Sequence, residues 1–167
     1  MPIDLTTRCL RVESVIGDVV RQVNVMRDIE LPEPARYIES IDTKIKHVEH
    51  KILPNKVIVE ITVHRQVFYV ECCSGAVKEF SLPDEKITEF VHIEGARPCE
   101  EQTAKVKVDI EYCDTDVIHE HKERDHHHHR DDFDRDRDKD RDRRDRDICH
   151  RKFHQTCIFK LRAKVVE

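Results

Sequence analysis

The sequence has little glycine, no long apolar run and no excess of positive charge, and each absence excludes a class of protein. Glycine occurs three times in 167 residues, so glycine-rich loops that cradle phosphates are essentially unavailable. No apolar run approaches the roughly 18 residues that indicate a transmembrane helix, so we expect no membrane insertion. The formal net charge is −5, whereas nucleic-acid-binding proteins usually present a basic surface. We therefore expect no nucleic-acid partner.

Motifs of the common enzyme classes are also missing. The sequence has no nucleophile elbow, no phosphate-binding loop and no His-Glu-x-x-His zinc motif, so we predict that the protein is not an enzyme. The isolated His47, His50, His64 and His92 are typical of strand surfaces. The beginning of the chain, MPIDLTTRCLRVES, lacks a basic region followed by an apolar core, so no signal peptide is recognised.

Residues 119–147 differ in composition from the rest of the chain. They comprise 12 acidic residues, 10 Lys or Arg, 6 His and one apolar residue, Phe133. Of the other 138 residues, about 45% are apolar, which is ordinary for a globular domain. We predict one β domain formed by residues 1–118 and 148–167, with 119–147 as a low-complexity His/Asp/Arg-rich insertion in a hairpin.

The remaining sequence is rich in β-branched residues, since Val and Ile number 34 and Leu, Met and Ala together 13. Apolar and polar residues alternate in Lys56–Val63, Lys105–Tyr112 and Phe159–Val165, which is typical of half-buried antiparallel strands. We predict an all-β, antiparallel β-sandwich-like domain with little or no helix. Further strands are predicted at about 8–15, 19–30, 36–49, 65–72, 77–81 and 87–93. In Lys105–Tyr112, the apolar face would comprise Val106, Val108, Ile110 and Tyr112.

Parts of the chain recur at a spacing of 49–51 residues. Leu31-Pro32 matches Leu82-Pro83, and the alternation of Val57–Val63 matches that of Val106–Tyr112. We predict two pseudo-repeats, each consisting of a strand, a Leu-Pro turn, an extended segment and a long alternating strand. The alternative is that two β-rich segments with proline turns match by chance.

Residues 20–113 contain a series of strand motifs and Leu-Pro turns. The series is Arg21-Gln22-Val23, Asp28–Pro32, Ile45–Ile61, Val67–Val70, Phe80–Pro83 and Val106–Tyr112. It resembles the SPOCS domain, a family associated with spore coat structure and spore morphogenesis in endospore-forming bacteria. The resemblance covers a little over half of the chain and includes no catalytic signature.

The resemblance implies scaffolding and not chemistry. It points to a self-assembling structural protein of a spore coat, exosporium or extracellular filament that polymerises through β-strand contacts. The partners would be further copies of this chain and other spore-coat proteins. Family members that organise spore layers often carry a peptidoglycan-binding LysM module, and its absence here favours a small building block. Synthesis in the mother-cell cytoplasm would agree with the unrecognised signal peptide.

Seven cysteines leave three interpretations open. They are Cys9, Cys72, Cys73, Cys99, Cys113, Cys149 and Cys157. They could be reduced and act as small apolar residues, form disulfides within and between subunits, or bind metal. An odd count leaves at least one thiol unpaired within a chain. A bond from Cys113 to either Cys149 or Cys157 would close the neck of the insertion.

The insertion and the residues after it also suggest a metal-binding surface module, which is the alternative function. Imidazoles and thiolates suit Zn, Ni or Cu. The candidate ligands are His119, His121, His126, His127, His128, His129, Cys149, His150, His154 and Cys157. No cofactor is required by the other motifs. The composition of 119–147 favours a solvated, disordered loop, and ordering by assembly or by metal is the other interpretation.

Overall fold

The computed structural model describes residues 12–118 and 148–167, which contain six β-strands and no helix. All ladders are antiparallel and belong to one hydrogen-bonded sheet, so the predicted all-β antiparallel fold is confirmed. The strands are β1 (Val15–Leu53), β2 (Lys56–Glu71), β3 (Val77–Ser81), β4 (Glu85–His92), β5 (Thr103–Val117) and β6 (His150–Val166). The predicted division into domain and insertion stays a prediction, because 119–147 are not among the described residues.

The strand order is β3-β2-β1-β6-β5, and β4 also pairs with β2. The first half of β1 pairs with β6 up to Glu30 and, after a register shift, once more at Ala35, and its second half pairs with β2 from Ala35 onwards. Pro32 and Pro34 lie between these halves, where a missing backbone N–H interrupts a ladder. The sheet therefore divides into two layers that share β1. One consists of the first half of β1, β6 and β5, and the other of the second half of β1, β2, β3 and β4.

The main core lies between these two layers. It includes inward-facing residues of β2 and β6 that are fully buried, such as Val59, Ile61, Phe159 and Leu161. A smaller cluster lies beside it, where the chain crosses between the layers, and contains Leu31 and Leu82. Each Å² of apolar surface removed from water contributes about 25 cal/mol to the free energy of folding, so these two clusters are the main source of stability.

The two Leu-Pro segments pack alike, but the strands that come after them pair differently. Both leucines enter the smaller cluster. The second half of β1 then forms a hairpin with β2, whereas β4 pairs with β2 and not with β5. The internal repeat therefore stays a prediction.

Two details of the predicted strands were wrong. In β5 the register shifts between Ile110 and Tyr112, so Glu111 is an extra residue that reverses the alternation. Tyr112 consequently lies on the outer face and is 54% exposed. At the other end of the chain, residues 12–14 are not in a strand and β1 begins at Val15. The predicted strand at 8–15 is thus reduced to its last residue among those described.

Candidate assembly surfaces and disulfide bonds

Cys113 and Cys157 form a disulfide between β5 and β6. They are directly opposed in the ladder, with Cα atoms 4.1 Å apart, and Cys157 is fully buried. This is one of the two pairings that would close the neck of the insertion. The bond joins the edge strand β5 covalently to the interior strand β6.

A second disulfide joins Cys72 and Cys149, whose Cα atoms are 6.0 Å apart. Cys72 lies in the turn after β2, where its N–H donates to Pro34 O at 3.0 Å. Cys149 lies immediately before β6. The bond therefore connects the turn after β2 with the start of β6, close to the crossing of β1 between the layers.

Cys73 and Cys99 are exposed free thiols at opposite ends of β2. Cys73 follows the last residue of β2 by two positions. At the other end, Asn55 N–H donates to Ala96 O at 2.8 Å, which places the loop that carries Cys99 beside the start of β2. The 16 residues of β2 span up to about 50 Å at ~3.3 Å per residue. Cys9 is not among the residues that the structure describes.

The metal ligands predicted after the insertion are not brought together. Cys149 and Cys157 belong to different disulfides. His150 and His154 lie on strand β6, not on a helix, so four residues separate them by about 13 Å. His154 Nδ1 lies 2.6 Å from Asp28 Oδ1.

Within 12–118 and 148–167, no group of three or more His, Cys, Asp or Glu residues could hold a metal ion. The other predicted ligands, His119, His121 and His126–His129, lie in the segment that the structure does not describe. The predicted metal site is therefore untested at those positions.

Charged pairs on the outer surface hold neighbouring strands together. Asp84 Oδ2 lies 2.8 Å from Lys46 Nζ, and Asp84 Oδ1 lies 2.8 Å from His64 Nδ1. These two partners, with Lys46 the larger influence, lower the pKa of Asp84 below its ordinary value. In the same way, hydrogen bonds from Arg162 lower the pKa of Asp18.

Arg65 is a buried polar residue that the sequence analysis did not single out. Its side chain is 2% exposed, and its Nε donates to Gln155 Oε1 at 2.7 Å. Its Nη1 contacts Glu85 Oε2 at 2.5 Å, and Gln155 Nε2 in turn donates to Thr43 Oγ1 at 3.2 Å. The network ties together β1, β2, β4 and β6. The signal in the sequence was its odd position, since Arg65 lies between Val63 and Val67 in the inward-facing series of β2.

The outer edge of β4 is covered. Arg21 Nη1 donates to Phe90 O at 2.8 Å, and its Nη2 lies 3.2 Å from Glu89 Oε2. A charged side chain on a strand edge blocks the addition of another strand.

The outer edge of β5 differs from that of β4. Among residues 12–118 and 148–167, β5 pairs with β6 alone, and its other side is unpaired. Residues 36–41 of β1 face residues 113–117 across a cavity of about 400 Å³ that the buried Phe153 and Gln155 of β6 also line. We refer to this unpaired side as the open edge of β5. It offers backbone donors and acceptors to another strand.

A family model described as SipL, SPOCS domain matches residues 34–118. The match covers 85 of 167 residues, which is half of the chain, and it extends from just before the second half of β1 to just beyond the end of β5. No curated protein and no solved structure matches the chain significantly. Among the described residues, no helix is long and apolar enough to cross a membrane.

Proposed function

The chain belongs to the SPOCS domain family, and we propose that it is a self-assembling structural protein of a spore coat, exosporium or extracellular filament. The family indicates a sporulation-related role. The finer proposal is a non-catalytic building block that polymerises with copies of itself and associates with other spore-coat proteins. It requires no cofactor.

The placement of Cys73 and Cys99 carries this proposal. Both are exposed, and they lie at opposite ends of β2. A disulfide needs Cα atoms within about 7 Å, so these two thiols cannot bond to each other within one chain. A bond from Cys73 of one copy to Cys99 of the next would be head-to-tail. Such contacts repeat without closing and generate a filament when the rotation does not return to the start.

The linkage is an oxidation that needs an external acceptor. Two thiols lose two protons and two electrons as the sulfur–sulfur bond forms. A low-molecular-weight disulfide accepts the electrons and is released as two thiols, through a mixed-disulfide intermediate. A spore surface is exposed to an oxidising exterior, where such bonds persist.

The test combines non-reducing electrophoresis with negative-stain electron microscopy after incubation with oxidised glutathione. We expect the wild type to form a ladder of oligomers and ordered filaments or sheets, and the ladder to collapse on reduction. Cys73→Ser and Cys99→Ser should each abolish the ladder, while the neighbouring Ser74→Ala should keep it. Dimers of both cysteine variants would instead indicate symmetric bonds, from Cys73 to Cys73 and from Cys99 to Cys99 of two copies. Monodisperse monomers of the wild type at high concentration would contradict the proposal.

The alternative function, a metal-binding surface module, stays a prediction. It depends on residues 119–132, so no described contact supports it. Titration of the monomer with Zn²⁺ would test it, with Ser at His126–His129 as the comparison. Tight, stoichiometric binding that this variant loses would favour the metal module. Weak binding with no fixed stoichiometry would leave assembly as the better proposal.

A further inference from the structure

One hydrogen bond shows which residues of β5 direct their backbone N–H and C=O groups to the open edge. Ile118 N–H donates to Lys152 O at 3.0 Å, just beyond the β5–β6 ladder. Bonded and non-bonded pairs alternate along an antiparallel ladder. Asp116 and Asp114 therefore direct their backbone groups toward β6, whereas Val117 and Thr115 direct theirs to the open edge.

At the bulge at Glu111, the residues of β5 that direct their backbone groups to the open edge change from even-numbered to odd-numbered. Before the bulge, the residues that direct their backbone groups to the open edge are even-numbered, such as Val106 and Val108. After it they are odd-numbered, such as Cys113 and Thr115. The outer face shows the same reversal in burial, with exposed odd residues before the bulge and exposed even residues after it.

The reversal places a charge gradient on one face of β5. Lys105 and Lys107 lie on the outer face before the bulge, and Asp114 and Asp116 lie on the same face after it. Lys105 contacts Glu13, and Lys107 contacts Asp109 of its own strand. Exposed ion pairs of this kind contribute little, so these lysines can exchange partners readily.

We propose that β5 pairs antiparallel with β5 of a second copy about a two-fold axis, with Lys105 opposite Asp116 and Lys107 opposite Asp114. The axis then passes between Ile110 and Glu111. This inference rests on the proposed self-assembly and names one of its interfaces. It joins the two β1-β6-β5 layers into one six-stranded layer.

The register satisfies the backbone as well as the charges. It places Val106 opposite Thr115 and Val108 opposite Cys113, and all four direct their N–H and C=O groups to the open edge. In the single chain Thr115 N–H donates to Asp114 Oδ1 at 2.8 Å. On pairing it would donate to Val106 O of the second copy instead, which releases the Asp114 carboxylate for Lys107. The lysine–aspartate pairs then occupy non-bonded positions, where opposed side chains are closest. The two-fold axis repeats both ion pairs.

Neighbouring arrangements are less favourable. Sliding the strands by two residues in one direction keeps Lys107 opposite Asp116 but places Asp109 opposite Asp114. Sliding them in the other direction keeps Lys105 opposite Asp114 but leaves Lys107 opposite Tyr112. Parallel, in-register pairing places each lysine beside its own copy. Like charges directly opposite each other destabilise a strand pair, and of these arrangements the proposed one alone pairs both lysines with aspartates, so the charges of β5 favour it.

Zero-length carbodiimide cross-linking of the Cys73→Ser/Cys99→Ser protein tests the register without a thiol linkage. A carbodiimide joins a lysine amine to a carboxylate only when they are in contact. Within one chain, Lys107 and Asp114 are about 20 Å apart along the strand, so a Lys107–Asp114 peptide must come from two copies. We expect mass spectrometry to find this peptide in the cross-linked dimer band.

Charge reversal tests the energetics in the same background. We expect Lys105→Glu/Lys107→Glu to weaken self-association at least about tenfold, because each pair becomes repulsive. Asp114→Lys/Asp116→Lys should do the same. The fourfold variant carries both changes and should restore association by exchanging the partners. Sedimentation velocity measures the association, circular dichroism checks the fold, and Lys44→Glu/Lys51→Glu on β1 is the matched control.

The failure of this inference can be told from the failure of the proposed function. If the wild type assembles but the β5 variants assemble equally well and no Lys107–Asp114 peptide forms, the β5 interface is wrong and self-assembly stands. If neither the wild type nor the thiol-free protein associates at any accessible concentration, both are overturned. Restoration by the fourfold variant, together with the cross-link, would establish the register.

Discussion

β2 and β5 carry the same alternation of apolar and polar residues, but the structure buries them differently. Val59 and Ile61 of β2 are fully buried, whereas Val108 and Ile110 of β5 are only partly buried against the same core. β2 has strands on both sides, while β5 has one. Alternation therefore specifies which face points inward, and the number of neighbouring strands determines how completely that face is covered.

Substituting one isoleucine in each strand should give the largest difference in the free energy of unfolding between β2 and β5. We expect Ile61→Ala to lower the free energy of unfolding by about 3–4 kcal/mol, since it leaves a cavity in a closed core. Ile110→Ala should cost about half as much, because its side chain is already partly hydrated. Urea unfolding of both variants measures the difference. Equal losses would mean that the open edge of β5 is covered in solution, as a β5–β5 contact would cause.

The Cys113–Cys157 disulfide stabilises β5, which has a neighbouring strand on one side. Replacing both cysteines with Ala should lower the free energy of unfolding by about 2–4 kcal/mol, because the bond closes a loop with a sequence separation of 44 residues. Cys73→Ala, which removes an exposed thiol, should change it by less than about 0.5 kcal/mol. Urea unfolding of the wild type and of each variant without a reductant is the measurement. A wild type that keeps its full stability when reduced would contradict this role.

The smallest expected effect concerns Asp84, which links β1 and β2 through Lys46 and His64. Because the pKa of Asp84 is lowered in the folded protein, its stabilising contribution is complete above its ordinary pKa. That contribution disappears as the pH falls through the lowered value. Asp84→Asn should therefore unfold more easily than the wild type at pH 7, and the difference should be smaller at about pH 3, below the ordinary aspartate pKa of about 3.9. Urea midpoints at the two pH values test this.

Asp109→Asn serves as the control for the Asp84 measurement. Asp109 contacts Lys107 of its own strand at 3.0 Å, a local pair that the unfolded chain can also form. Its midpoint should stay within error of the wild type at both pH values. If the Asp84→Asn difference were as large at low pH as at pH 7, the ion pair would not be its cause.

The strands were predictable because their signal is local. The alternation in Lys56–Val63 and Phe159–Val165 indicates an inward face that the structure confirms. The predicted strands 19–30 and 36–49 proved to be two halves of β1. Their separation at two prolines was visible, but the switch from β6 to β2 as the pairing partner was not, because pairing depends on residues far away in the sequence.

The candidate sites were less predictable for the same reason. The bulge at Glu111 comes from a single extra residue, which shifts Tyr112 outward without a change in composition. The disulfide partners of Cys72 and Cys113 depend on strand register and on the turn after β2, so the sequence left them open. Arg65 interrupts an apolar series in a way that the sequence does show, but its partners Gln155 and Glu85 come from other strands.

The sharing of β1 between the layers has a consequence for synthesis. Val15 pairs with Val166, which lies 151 residues further along the chain. While the ribosome is still making β6, the first half of β1 has no partner and its inward face has no core to enter. The second half can already form a hairpin with β2. The nascent chain therefore exposes the apolar face and the unpaired backbone of the first half of β1 until translation reaches β6. During this period a chaperone or another nascent copy could bind it.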